Sequence, residues 1–157
     1  MSILRDFVVT AINYKPLAIF ATWLHWNLAS WQRFLYVFFD LECTQDLERC
    51  DGSFEYIPNL ICAQQMCSNC EAVDDLSFDC EQCGKSTHMF WQDPVGRFID
   101  YPRLSRPFAD KIYVISHNSR GYDAQFLLRR FLELRWVPKL IMDGTEIIAC
   151  LLRISAF

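Results

Sequence analysis

Two short cysteine pairs constrain this chain more than any other feature. Cys67-Ser68-Asn69-Cys70 is followed, after nine residues, by Cys80-Glu81-Gln82-Cys83-Gly84. Each Cys-x-x-Cys turn brings two sulfurs to one point. Together the turns supply the four thiolates of a tetrahedral site, the geometry Zn²⁺ takes in structural positions. Gly84 gives the backbone room to turn under the metal. With four protein ligands no position is left for a substrate, so the expected Zn²⁺ is structural. The competing reading is a set of free or redox-active thiols. Cys62 and His88 flank the pairs, and either could replace one ligand. Cys43, Cys50 and Cys150 lack partners at ligand spacing and read as core or surface thiols.

Eight cysteines also fit a secreted, disulfide-bonded domain. The start of the chain argues against that. Met1 to Phe20 contains Asp6, Lys15 and Pro16 and has no clean apolar stretch leading to a small-residue cleavage site. Pro16 to Gln32 carries no formal charge, but His25, Asn27 and Gln32 interrupt it. It also falls short of the roughly 20 apolar residues of a membrane span. A buried or interfacial helix is expected there, with Trp23, Trp26, Asn27 and Ser30 on one stripe. The expected setting is intracellular, nuclear or cytoplasmic, with no membrane partner. Residues 1–33 are set apart as an apolar N-terminal segment. Residues 34–157 form the expected domain, with the zinc-binding insert at about 62–88.

Val37-Phe38-Phe39-Asp40-Leu41-Glu42-Cys43 reads as a buried strand bounded by the polar Thr44-Gln45-Asp46. Side chains alternate along a strand, so Asp40 and Glu42 point to one face. Two adjacent carboxylates repel each other, and a divalent cation such as Mg²⁺ or Mn²⁺ between them relieves the repulsion. Alternatively, the strand ends there and both acids are solvated. Asp51-Gly52 marks a hairpin or loop. Asp93-Pro94 opens a helix expected through Ile99, before Tyr101-Pro102 interrupts it, and Pro107 closes the linker that follows.

Lys111 to Ser116 is a second apolar strand, delivering the chain to His117-Asn118-Ser119-Arg120-Gly121-Tyr122-Asp123. A helix is expected from about Tyr122 to Leu134, with Ala124, Leu127, Leu128, Phe131 and Leu134 on its inner face. Asp123 in the first turn is explained by helix capping when taken alone, as are Asn118 and Ser119. Lys139 to Ile148 reads as two strands around Asp143-Gly144. Charge is uneven: Asp40 to Cys83 holds eleven acidic residues and one basic, Arg97 to Lys139 nine basic and four acidic. An acidic half beside a basic one suits a site holding cations next to a surface holding phosphates.

Taken together, Phe39-Asp40-Leu41-Glu42 and Asn118-Ser119-Arg120-Gly121-Tyr122-Asp123 resemble the first two exonuclease motifs of family B DNA polymerases, nearest the protein-primed branch of organelles, viruses and mobile elements. The similarity spans roughly residues 35 to 148. The resemblance implies an α/β, RNase H-like 3′-5′ exonuclease domain, incomplete here, with an inserted four-cysteine zinc knuckle. It implies that Asp40, Glu42 and Asp123 hold Mg²⁺ or Mn²⁺ in a two-metal site. It further implies that Asn118 and Tyr122 contact a single-stranded DNA primer end, and that Arg120 engages phosphate. Arg129 and Arg130 fit either a phosphate contact or a solvated helix face. The implied partners of a full-length relative are template-primer DNA and a terminal priming protein. The family's third exonuclease motif, Tyr-x-x-x-Asp, and its polymerase palm have no counterpart here. The chain is therefore expected to be the amino-terminal piece of a larger polymerase, weakly active or inactive alone. The alternative is a non-catalytic, zinc-stabilised module that binds nucleic acid or protein.

Overall fold

The computed structural model describes residues 4–11, 33–70, 79–103, 108–116 and 122–155. Strand β2 runs from Phe34 to Glu48 and β3 from Phe54 to Cys67. The first strand therefore does not stop at Thr44-Gln45-Asp46. Antiparallel pairing with β3 carries those polar residues onward on a solvated two-stranded ribbon, with register irregularities at Glu42/Cys43 and at Thr44/Leu47. The ribbon closes at the expected Asp51-Gly52 turn, where Gly52 takes φ 80°. There the Arg49 N–H donates to the Ser53 carbonyl at 2.7 Å. Asp51 accepts from the Ser53 N–H at 2.9 Å.

Strand β4 (Thr87–Phe90) completes a three-stranded meander, and helix α1 (Pro94–Arg103) crosses back to β5 (Lys111–Ser116). Strand β5 lies parallel to β2, with Val37 facing Val114. Helix α1 outlasts the expected stop at Ile99. Pro102 lies in its last turn, where a missing N–H costs one terminal bond rather than breaking the helix. Pro94 occupies the first helical position, which favours proline. The Asp93 carboxylate accepts from the Gly96 N–H at 3.1 Å. The closure expected at Pro107 lies outside the described residues.

Helix α2 (Ala124–Glu133) matches its expected register: Ala124, Leu127 and Phe131 are buried, and Leu128 and Leu134 pack against the core. The hairpin of β6 (Lys139–Asp143) and β7 (Glu146–Ser155) turns at Gly144, φ 59°.

Strand β1 (Leu4–Ala11) joins the same sheet, although it falls in the segment set apart from the domain. It lies parallel to β5 and antiparallel to β7. The described strands order as β4-β3-β2-β5-β1-β7-β6. The sheet therefore crosses the boundary expected at residue 33, while the helix expected over 16–32 lies outside the described residues. Among the described residues, no helix is long and apolar enough to cross a membrane.

One face of the central strands builds the core. Leu35, Val37, Phe39 and Leu41 of β2 sit opposite Cys67, Gln65, Ala63 and Ile61 of β3, and all eight are buried. Phe98 of α1 is buried against them, its ring 4.7 Å from Phe39 and 5.6 Å from Phe90. Asp40 and Glu42, one residue out of phase, fall on the opposite face in solvent.

Candidate metal centre and carboxylate site

The end of β3 and the turn before β4 bring the four knuckle cysteines together. Their ligand atoms lie within 4.8 Å of one another, the one such group of three or more metal-ligating side chains among the described residues. Cys67 and Cys80 sulfurs are 3.8 Å apart, Cys70 and Cys67 3.7 Å, Cys70 and Cys83 3.8 Å. A Zn–S bond of about 2.3 Å in a regular tetrahedron requires sulfur edges of about 3.8 Å. A disulfide would need about 2.05 Å. The spacing thus fits one metal ion shared by four thiolates.

The backbone prepares the site for negative charge. The Cys67 N–H donates to Cys70 Sγ at 3.0 Å, and the Gln82 N–H to Cys80 Sγ at 3.4 Å. The Cys83 N–H, followed by that of Gln82, pulls the Cys80 thiol down to about 7 despite burial. Burial pushes the Cys70 and Cys83 thiols up. One sulfur is therefore ready as thiolate near neutrality, and others must release protons to a metal. Gly84, at φ 81°, makes the expected turn. Its N–H donates to the Cys80 carbonyl at 2.7 Å.

Neither alternative ligand joins this group. Cys62 differs from Cys67 by an odd number of positions on a regular stretch of β3. Its side chain therefore leaves by the opposite face, across from Asp40. His88 is engaged elsewhere: its Nε2 lies 2.9 Å from the Lys85 carbonyl and 2.9 Å from the Tyr101 hydroxyl.

That second contact belongs to a network that sequence reasoning missed. Gln65 sits on the buried face of β3, 3% exposed. Its Nε2 donates to the Cys83 carbonyl at 2.7 Å and the Lys85 carbonyl at 2.8 Å. The Tyr101 hydroxyl of α1 donates to Gln65 Oε1. With a proton on His88 Nε2, that one N–H is shared between the Lys85 carbonyl and the Tyr101 hydroxyl oxygen, while the Tyr101 proton goes to Gln65. The network ties the second knuckle to both the sheet and α1. The available signal was parity: Gln65 alternates with Ile61, Ala63 and Cys67, a polar residue on the buried side of a strand.

The carboxylates expected to hold Mg²⁺ or Mn²⁺, Asp40, Glu42 and Asp123, do not come together into such a ligand group. Asp40 and Glu42 share one exposed face of β2. Asp123 opens α2 and is 1% exposed. It takes helical φ and ψ and makes no side-chain capping bond, so N-capping does not account for it. Burial, followed by the nearby Cys43 thiol, next in sequence to Glu42, pushes the hydroxyl of Tyr122 beside it up. Burial raises the Cys43 thiol, the Tyr122 hydroxyl nearby lowers it, and the charges of Asp123 and Glu42 raise it again. Tyr122 also lies edge-on to Tyr56 and Phe126, at 5.4 Å and 5.2 Å between ring centres. Asn118 and Arg120 lie outside the described residues. Arg129 and Arg130 both pair with Glu133, at 3.3 Å and 3.0 Å, in keeping with the solvated-face reading.

Fold and site together define a mixed α/β protein, one predominantly antiparallel sheet with a tetracysteine group able to hold a structural metal such as zinc. No protein-family model, curated protein or solved structure matches the chain.

Proposed function

We propose that this chain carries the exonuclease region of a protein-primed family B DNA polymerase, with an RNase H-like α/β core that receives the single-stranded 3′ end of DNA. The observation that carries the proposal is the packing of Tyr122, at the start of α2, edge-on against Tyr56 of the β2–β3 ribbon, 5.4 Å between ring centres. It brings the second motif-bearing segment against the hairpin that carries the first, and the charges of both Asp123 and Glu42 are felt at Cys43. A meander followed by a helical crossover into a parallel strand beside the first, β2-β3-β4-α1-β5, also supports this reading.

In this reading Asp40, Glu42 and Asp123 are the carboxylates that hold Mg²⁺ or Mn²⁺. Such ions, when bound, acidify the attacking water and stabilise the leaving 3′ oxygen. Asp40 and Glu42, exposed and two apart, have the freedom to swing onto an ion. Asp123, fixed by burial, sets the position to which they converge. Tyr122 presents a ring to the terminal base, while Asn118 and Arg120 contact the sugar-phosphate chain. Zn²⁺ in the four-cysteine site keeps the β3–β4 connection folded.

The test is release of the terminal nucleotide from a 3′-labelled single-stranded oligonucleotide with Mn²⁺ or Mg²⁺. Asp40→Ala/Glu42→Ala and Asp123→Asn serve as controls. Metal-dependent release lost in both variants supports the proposal. Release unaffected by either variant, or Mn²⁺ protection against heat that survives the triple alanine change, refutes it.

The four-cysteine group favours a second reading, a zinc-stabilised binding module without catalysis. It requires oligonucleotide binding that depends on zinc and is indifferent to Asp40, Glu42 and Asp123.

A further inference from the structure

One edge of the sheet is unprotected among the described residues. Strand β6 pairs with β7 alone, and all five of its residues, Lys139-Leu140-Ile141-Met142-Asp143, are exposed. Ile141 and Met142 are 43% and 45% exposed, and Val137 just upstream is 87% exposed. Proteins commonly blunt such an edge with a bulge, a proline or a charge in mid-strand. None of these interrupts β6. Ile141 faces Ala149 and Met142 faces Ile147, so the extra residue of the hairpin, Ile148, lies on β7. Among the described residues, the outer rim of β6 is left regular, with N–H and C=O groups that pair with no strand.

The order of residues along the strand says what fits that rim. A cation stands at one end, an anion at the other, and three apolar residues between. When the strand is laid antiparallel against its own copy, centred on Ile141, Lys139 falls opposite Asp143 of the partner subunit and Asp143 opposite the partner's Lys139. Leu140 meets Met142 of the partner subunit, and Ile141 meets itself. Every cross-strand pair is then of opposite charge or apolar. A parallel pairing in register would set lysine beside lysine and aspartate beside aspartate. The antiparallel two-fold also closes on itself and cannot grow into a fibre through the same edge.

We propose that the chain forms a two-fold dimer through β6, joining two sheets edge to edge across Ile141. The proposal stands apart from the nuclease reading, since no residue of that site lies in β6.

The test is sedimentation velocity of the zinc-loaded chain in reducing buffer over a range of concentrations. A reversible monomer–dimer equilibrium is expected. Lys139→Glu and Asp143→Lys each turn both end pairs into like-charge pairs, and each is expected to weaken the dimer about tenfold. Mixing the two variants restores opposite charges at both ends and should recover the original affinity. Asp143 adjoins the Gly144 turn, so Ile141→Glu, which sets two carboxylates face to face on the axis, probes the same contact away from the turn. Thermal unfolding confirms that each variant is folded. A chain that stays monomeric to several hundred micromolar overturns the proposal. So does a dimer indifferent to all three variants, open-ended assembly, or a mixture that fails to recover.

Discussion

Replacing Gln65 by leucine tests whether the second cysteine knuckle is held by the fold or only by its metal. The substitution keeps the side chain's bulk and apolar contacts but removes three hydrogen bonds: to the Cys83 carbonyl, to the Lys85 carbonyl, and from the Tyr101 hydroxyl. Each is worth about 1 kcal/mol net. Lys85 and Tyr101 keep His88 as a second partner, whereas the Cys83 carbonyl loses its amide donor, adding about 1–2 kcal/mol for a buried acceptor. The expected loss is about 4–5 kcal/mol, a large fraction of the stability of a single domain. The assay is urea unfolding with free Zn²⁺ held constant by a metal buffer, because metal bound only to the folded state adds its own stabilisation. Gln64→Leu on the opposite face of the same strand is the control and should fall within about 0.5 kcal/mol. A Gln65→Leu loss below about 1 kcal/mol would show that the network is incidental and the reasoning wrong. Tyr101→Phe should cost about 1–3 kcal/mol, and its cycle with Gln65→Leu should show clear coupling.

Zinc affinity should climb steeply with pH. The raised Cys70 and Cys83 thiols must shed protons to bind, whereas Cys80, near 7, is largely ionised by pH 8. Two displaced protons alone give about a 10⁴-fold gain between pH 6 and pH 8, read by chelator competition. Cys150 is raised by burial from 9.0 to about 11. An acid held neutral in the folded state contributes fully below its unfolded pKa, so stability should fall as pH rises from 9 toward 11. Urea unfolding across that range should show Cys150→Val reducing the slope. A Cβ at Gly96 would run into the Asp93 carboxylate. Gly96→Ala should therefore displace the Asp93 side chain, and the cap lost, about 1 kcal/mol, should be largely offset by about 0.5–1 kcal/mol of helix propensity gained, leaving the thermal midpoint nearly unchanged.

Features that depend on near neighbours along the chain are legible in the residues alone. Spacing marks Cys67, Cys70, Cys80 and Cys83, because a Cys-x-x-Cys turn fixes its two sulfurs locally. Asp51-Gly52 and Asp143-Gly144 mark the two hairpins, and the apolar spacing from Ala124 to Leu134 marks α2 and its buried side. Alternation puts Asp40 and Glu42 on one face. Features that depend on strands far apart in sequence emerge only on folding. Nothing in Leu4–Ala11 names its neighbours; the sheet sets it between β5 and β7. The length of β2 past Thr44 follows from the partner β3 offers, since a polar ribbon is stable once its backbone bonds are made. Gln65 gains its role only when register sets β3 beside β4 and α1 lays Tyr101 over both. Capping is reason enough for Asp123 on paper, yet packing buries it without a capping bond. Local chemistry is written in consecutive residues, whereas register and burial follow from which distant surfaces meet, and only the folded sheet fixes that.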